Sequence, residues 1–215
     1  GAGIALDAAS RGLSTAVIEG QDWASGTSSR SSRLVHGGLR YLYNLDFKLV
    51  AEALKERGRL LTTIAPHLVS AQPFLWPLKM PVIERTYSAV GVGMYDALAV
   101  IGAGGHKTVP IQKHLTKKGA LKRFPEVKKS ALTGAIEFYD ARVDDARLVI
   151  TLIRTAVKYG AQAASRVRMT EILKDEKGRA TGVKAVDLET GEEFTVKAKR
   201  LINATGIWTE ETQDM

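Results

Sequence analysis

Residues 1–20 read GAGIALDAASRGLSTAVIEG. Apolar Ile4, Ala5, Ala8 and Ala9 recur at three- and four-residue spacing, which predicts a helix over Gly1–Arg11 whose small-residue face can pack tightly on a sheet. Gly12 stops it, because the position just past a helix end commonly turns left-handed and glycine does so without a Cβ penalty. Leu13–Ile18 follows as a short apolar strand with Glu19 at its end. This is the order of a dinucleotide-binding unit. The pyrophosphate sits on the helix N-terminus, and an acid about 20 residues on, near the end of the next strand, binds ribose hydroxyls. Gly1 stands where the last glycine of the turn belongs, and Gly3 lies on the helix. Gly-Ala-Gly alone is a weak signal; Glu19 is what strengthens it. A glutamate there suits a free 2′-hydroxyl, as in the adenosine half of FAD or NAD, and repels the 2′-phosphate of NADP.

The stretch Thr27–Tyr41, TSSRSSRLVHGGLRY, carries no helix or strand pattern. It combines hydroxyls, the Gly37-Gly38 pair, His36, and Arg30, Arg33 and Arg40. Glycines without a Cβ let backbone N–H groups approach a ligand closely. One reading is a loop lying along a phosphate-bearing cofactor and ending at the reacting centre; the other is an ordinary polar surface loop. Arg40 either offers its guanidinium fork to a phosphate or makes a surface ion pair. His36 either acts as a base or hydrogen-bond partner near neutrality or merely shapes the loop.

The composition is that of a globular protein able to fill a core, with 45% hydrophobic and 25% charged residues. A formal net charge of +8 suits anionic partners: a dinucleotide, a phosphorylated substrate, an acidic membrane surface or nucleic acid. No RNA- or DNA-binding motif is present, so no nucleic-acid partner is expected. The absence of cysteine excludes disulfides, thiolate metal sites and cysteinyl flavin linkage. His106 and His114, with no carboxylate near them, do not make a metal site.

Further along, Asn44 or Asp46 caps a helix to about Ile64, with Phe47, Val50, Leu54, Leu61 and Ile64 on a packing face that is assigned no chemistry. Leu68–Pro81 carries three prolines, which confine it to a sheet edge or an irregular strand. Glu84–Ile101 reads as a helix burying Tyr87, Val90, Met94, Leu98 and Ile101; a membrane-facing role is disfavoured because its polar face lacks Lys/Arg enrichment. Gly102–Lys129 reads as loop-rich and basic, and Ala135–Asp140 as a strand. Asp144 or Asp145 caps a helix to Tyr159, closed by Gly160. Ala161–Lys174 supplies two strand pieces broken near Ser165–Arg168; turns at Glu176–Gly178 and Thr190–Gly191 then set off Gly182–Leu188 and Phe194–Lys199, giving with the second piece a three-stranded meander. Arg200–Asn203 is expected as a parallel strand ending in Ala204-Thr205-Gly206, and Trp208 is expected to pack under that end. Small residues at such a strand end admit a dinucleotide, or form an ordinary turn.

Three segments, SSRLVHGGLRYL, EFYDARVDDARLV and NATGIW, resemble the FAD-dependent glycerol-3-phosphate dehydrogenases that pass electrons to quinone, within the wider glutathione-reductase-like and amino-acid-oxidase-like flavoproteins. The resemblance covers essentially the whole chain. It implies an α/β fold: a doubly wound, glutathione-reductase-like FAD-binding domain with an inserted, partial substrate region and a small β-meander. The implied segments are 1–67 for the first part of the FAD domain, 68–140 for the substrate region and 141–215 for the rest of the FAD domain with the meander. It also implies oxidation of sn-glycerol 3-phosphate to dihydroxyacetone phosphate, with FAD accepting the hydride and a quinone receiving the electrons. FAD contacts would come from Gly1, Glu19, Thr27, Ser28, Ser31, Arg33, Leu34, His36, Gly37, Gly38, Ala204, Thr205 and Gly206, with the backbone near Val167 meeting the adenine. Arg40 and Tyr41 would line the substrate pocket, with His36 a further candidate there.

The resemblance also implies a cytoplasmic protein held peripherally on the inner face of the cell membrane, and it leaves the oligomeric state open. The chain reads as a piece lacking the first strand and the later part that holds the remaining phosphate ligands and the general base. Alone it is expected to bind FAD poorly and to turn nothing over. The alternatives are an oxidase of the same family that uses oxygen, another amino-acid-oxidase-like flavoenzyme, and a non-enzymatic basic module binding nucleic acid or membrane.

Overall fold

The computed structural model describes residues 1–80, 82–102 and 104–213; Pro81, where the proline-rich segment was expected to end, lies outside them. The elements in chain order are α1 (Ala2–Ser10), β1 (Ala16–Glu19), β2 (Leu34–Val35), α2 (Phe47–Arg59), β3 (Val69–Leu78), α3 (Ile83–Gly102), β4 (Lys113–Thr116), α4 (Lys117–Arg123), β5 (Gly134–Val143), α5 (Asp145–Lys158), β6 (Gln162–Ser165), β7 (Val167–Lys174), β8 (Ala180–Asp187), β9 (Glu193–Lys197) and α6 (Thr209–Gln213). They form two compact units, one of Gly1–Ser31 with Asp145–Met215, the other of Ser32–Asp144.

The first unit is α/β. Its core is built of alanines: Ala5 and Ala9 of α1 meet Ala156 of α5 and Ala161, with Leu6 and Val17 against them. Such small side chains let two helices approach closely. The expected packing face of α1 is corrected in part, since Ile4 is 46% exposed. Gly12 takes φ +78 as the sequence required. β1 pairs in parallel with β6, Glu19 lying opposite Ser165. Arg166 then adopts φ +61 and donates its N–H to Gln21 O at 2.9 Å, which ends the ladder and turns the chain into the antiparallel sheet β7-β8-β9. The expected strand Arg200–Asn203 is not formed: residues 200–205 have no ladder partner among the described residues, and Ile202 is 59% exposed. An apolar run becomes a strand only where a neighbour accepts and donates its backbone hydrogen bonds.

In the second unit an antiparallel sheet is organised on β5, whose ten residues are almost all buried. β3 runs along one side of it for its full length, with Pro73 opposite Tyr139 and Pro77 opposite Ala135. β2 and β4 share the other side. β3 is thus an edge, where prolines without an N–H are tolerated, as the sequence indicated. Asp46 caps α2 by accepting from Leu49 N at 3.1 Å, and a π-helical turn extends the helix over Leu60–Ile64.

The buried face of α3 is Ser88, Val92, Tyr95 and Ala99, not the stripe read from the sequence, for Tyr87 is 61%, Val90 62% and Ile101 72% exposed. The helix is apolar on more than one side; Tyr95 and Ala99 of the buried face pack on Val50 and Leu54 of α2, and Val92 packs on Leu78, Ile136 and Phe138 of the sheet. Gly102 at its end comes so close that a Cβ would lie 3.4 Å from the Lys55 backbone. The segment read as loop holds β4 and α4, the latter capped by Thr116. Residues 32–67, grouped by sequence with the first cofactor segment, pack within this second unit, because Val50 and Leu54 of α2 bury against Tyr95 and Ala99 of α3.

Candidate functional site

The loop 27–41 starts in the first unit and ends in the second. A 3₁₀ turn over Thr27–Ser29 is followed by β2, where Leu34 and Val35 pair with Arg142 and Ala141. Arg33 at φ +59 accepts from Val143 N at 3.0 Å through its carbonyl oxygen. At Gly37 the chain becomes buried. The Gly37 N–H is shared between Tyr95 Oη at 2.7 Å and Asp140 Oδ1 at 3.1 Å. The same carboxylate oxygen accepts from the Tyr95 hydroxyl at 2.6 Å and from Arg57 Nη1 at 2.5 Å. Arg57 also donates to Tyr139 O at 3.1 Å and leans on the Tyr95 ring, 5.5 Å from its centroid. Burial, and then the negative Asp140, push the Tyr95 phenol well above its ordinary range, so it remains a donor.

Both glycines are required by space. A Cβ on Gly37 would sit 2.2 Å from Leu54 Cδ2 and 2.5 Å from Tyr95 Oη. Gly38 has φ +72, and a Cβ there would lie 2.4 Å from the Tyr41 ring. Tyr41 N donates to Gly38 O at 2.7 Å and closes the turn. His36 and Arg40 are exposed, Tyr41 is half-buried, and the Arg40 guanidinium lies 5.7 Å from the Tyr41 ring centroid. The structure therefore brings His36, Gly37, Gly38, Arg40 and Tyr41 into one turn, with Arg33 and Leu34 on the strand that leads into it.

In the first unit one pair of expected cofactor residues lies close together, and Glu19 pairs with the strand that leads to Val167. Gly1, at the N-cap of α1, is so near Ala204 that a Cβ on it would touch the Ala204 Cβ at 3.5 Å. Glu19 ends β1 beside Ser165, two residues before Val167, and accepts from Gln21 N at 2.8 Å. Thr205 donates its N–H and hydroxyl to Asn203 Oδ1 at 3.1 and 2.7 Å, and Gly206 follows at φ +63. Trp208, expected under that end, packs instead on Gly26, where a Cβ would be 3.1 Å from its ring. The Ser31 hydroxyl donates to Asp145 at the start of α5, which ties the loop to that helix. The hydroxyls of Thr27 and Ser28 make no hydrogen bond among the described residues.

Arg57, Tyr95 and Asp140 were missed by reading the sequence. The available signal was charge in the wrong place: Arg57 falls three residues after Leu54 on the packing face of α2, and Asp140 ends the apolar strand Ala135–Asp140.

A family model described as FAD dependent oxidoreductase matches residues 1–215. The glycerol-3-phosphate dehydrogenase of Mycobacterium leprae is 51% identical over 213 residues, spanning 99% of this chain and 35% of that protein. The alpha-glycerophosphate oxidase of Streptococcus pyogenes serotype M1 is 44% identical, over 98% of this chain and 34% of that protein. The solved glycerol-3-phosphate dehydrogenase of Bacillus halodurans, complexed with FAD, superposes with a TM-score of 0.70 at 30% identity, over 99% of this chain and 33% of that one. The chain thus spans about a third of the length of the relatives it matches, 35% of the first. The likeness carried by SSRLVHGGLRYL, EFYDARVDDARLV and NATGIW and the mixed α/β fold class are both borne out. With a match from its first residue to its last, the chain belongs to the FAD dependent oxidoreductase family.

Proposed function

We propose that the protein carrying this chain oxidises sn-glycerol 3-phosphate to dihydroxyacetone phosphate with FAD, and delivers the electrons to a quinone at a membrane surface. The observation that carries this reading is the turn 36–41: two glycines fixed by space, flanked by an exposed imidazole and an exposed guanidinium.

The residues present fit a flavin dinucleotide. The N-terminus of α1 has no side-chain cap and no acid in its first turn, so its N–H groups and dipole are left for an anion. Ala204 lies beside that end, within van der Waals reach of a Cβ placed on Gly1. Thr27 and Ser28 supply hydroxyl donors to phosphate, Glu19 an acceptor for ribose, and the backbone at Val167 an edge for adenine. Arg33, Leu34, Gly37 and Gly38 contact the flavin in this reading, and Thr205 and Gly206 contribute from the turn held by Asn203. Ser31 ties the loop to α5. When bound, the flavin supplies the two-electron acceptor. Arg40 holds the substrate phosphate with its fork, Tyr41 donates a hydrogen bond to the substrate, and His36 stands beside them as a further hydrogen-bonding group.

In this reading the protein is cytoplasmic and meets the inner face of the cell membrane peripherally. The net charge of +8 on this chain suits anionic lipid, and among the described residues no helix is long and apolar enough to cross a membrane. The test is anaerobic addition of sn-glycerol 3-phosphate to the full-length flavoprotein. Bleaching of the flavin, reversed by a quinone analogue, is expected; no bleaching sinks the assignment. The Streptococcus pyogenes oxidase, at 44% identity, supports a second reading in which oxygen is the acceptor. Rapid peroxide formation without quinone would select it.

A further inference from the structure

Asp140 has no role in the chemistry proposed above, yet its Oδ1 gathers three donors in the interior: the Tyr95 hydroxyl at 2.6 Å, Arg57 Nη1 at 2.5 Å and the Gly37 amide at 3.1 Å. Arg57 is 1% and Tyr95 0% exposed. A buried ion pair is a poor fastener, because both ions lose their hydration and apolar side chains of equal volume often hold as well or better. This one is also incomplete. Arg57 Nε and Nη2 are buried with no hydrogen-bond partner among the described residues, which costs stability. Apolar packing already joins α2 to α3 through Val50, Leu54 and Ala99, and α3 to β5 through Val92, Ile136 and Phe138. What apolar side chains cannot do is hold a backbone N–H at a fixed point away from water. The backbone N–H this cluster takes is that of Gly37, in the middle of the turn that presents His36 and Arg40.

We infer that Asp140 and Tyr95 are positioning residues that fix the Gly37 amide and so keep the His36–Arg40 turn in one conformation, with Arg57 as the countercharge. The consequence for catalysis rests on the function proposed above; the conformational part does not.

The test uses Tyr95→Phe and Asp140→Asn in the full-length flavoprotein. The first keeps the ring in its packing and removes one hydroxyl; the second keeps the shape and removes the charge. Amide exchange over residues 36–41 is expected to accelerate by about tenfold or more, while exchange in α2 and α3 stays near wild type. kcat for sn-glycerol 3-phosphate is expected to fall by roughly tenfold, with a raised KM and a shifted flavin absorption band. Unchanged exchange over 36–41, or equal acceleration through α2 and α3, overturns the inference, as does faster exchange with wild-type kcat and KM. If Asp140→Asn does not fold, Tyr95→Phe decides. A wild-type protein that binds no flavin would sink the functional reading, and the exchange measurement, which needs no ligand, would still decide the conformational one.

Discussion

Gly37 and Arg40 stand three residues apart under opposite demands. The glycine is wedged between Leu54 and the Tyr95 hydroxyl, while the arginine is exposed, with its guanidinium over the Tyr41 ring. A Gly37→Ala change puts a methyl where two locked side chains already are, and both must move. It is expected to lower stability by about 1–3 kcal/mol, the usual cost of overpacking, read as a drop in the thermal midpoint. Arg40→Ala leaves the fold untouched and removes a charge-assisted contact with phosphate. It is expected to raise KM for sn-glycerol 3-phosphate by roughly tenfold to a hundredfold in the full-length protein, with an unchanged melting curve. A KM equal to that of the wild type would remove Arg40 from the substrate side. The exposed members of this turn were legible in the sequence, because glycine pairs and clustered arginines are unusual in any loop. Its buried anchor was not: Arg57, Tyr95 and Asp140 come from three elements, and only the packing of α2 and α3 on β5 makes them neighbours.

Elements were legible where a local signal fixes both their ends. α5 has an aspartate at its start and Gly160 at φ +93 past its end, and the meander has polar turns at both of its corners. The burial of α3 was not legible, because Tyr87, Val90 and Ile101 make as good an apolar stripe as Ser88, Val92, Tyr95 and Ala99. Periodicity shows that a helix has a face; the neighbour decides which one. The turn between β8 and β9 allows a prediction at this scale. Asp187 accepts from the backbone N–H groups of Glu189 and Thr190 at 2.7 and 3.2 Å, which hold its carboxyl below the ordinary carboxylate range. A carboxyl lowered by folding stabilises the folded state above its unfolded pKa, and that contribution is lost as pH falls through the folded value. Acidification should therefore cost the wild type more stability than Asp187→Asn, and the two melting curves should converge as the medium becomes acid. Parallel loss in both proteins down to full unfolding would refute the role of this turn.

At the scale of the molecule, the two crossings of the chain between its compact units are neighbours. Ser31 donates to Asp145 just before one division and just after the other, and Arg33 O accepts from Val143 N at 3.0 Å on the other side of both. The unit Ser32–Asp144 is therefore one continuous stretch with its ends together, and it contains the whole ladder of β2, β3, β4 and β5, the α2–α3 packing and the Arg57–Tyr95–Asp140 cluster. The other unit depends on two distant segments, since Ala5 and Ala9 bury against Ala156 and Ala161. Because contacts within a continuous segment survive excision, residues 32–144 alone are expected to fold, with a cooperative thermal transition and a near-ultraviolet signal from the buried Tyr95. Residues 1–31 alone are expected to remain unfolded, since most of the core that α1 needs lies beyond Asp145. A 32–144 segment that melts without cooperativity would mean that its core is completed by chain outside it, and the division into units would then be one of contacts but not of folding.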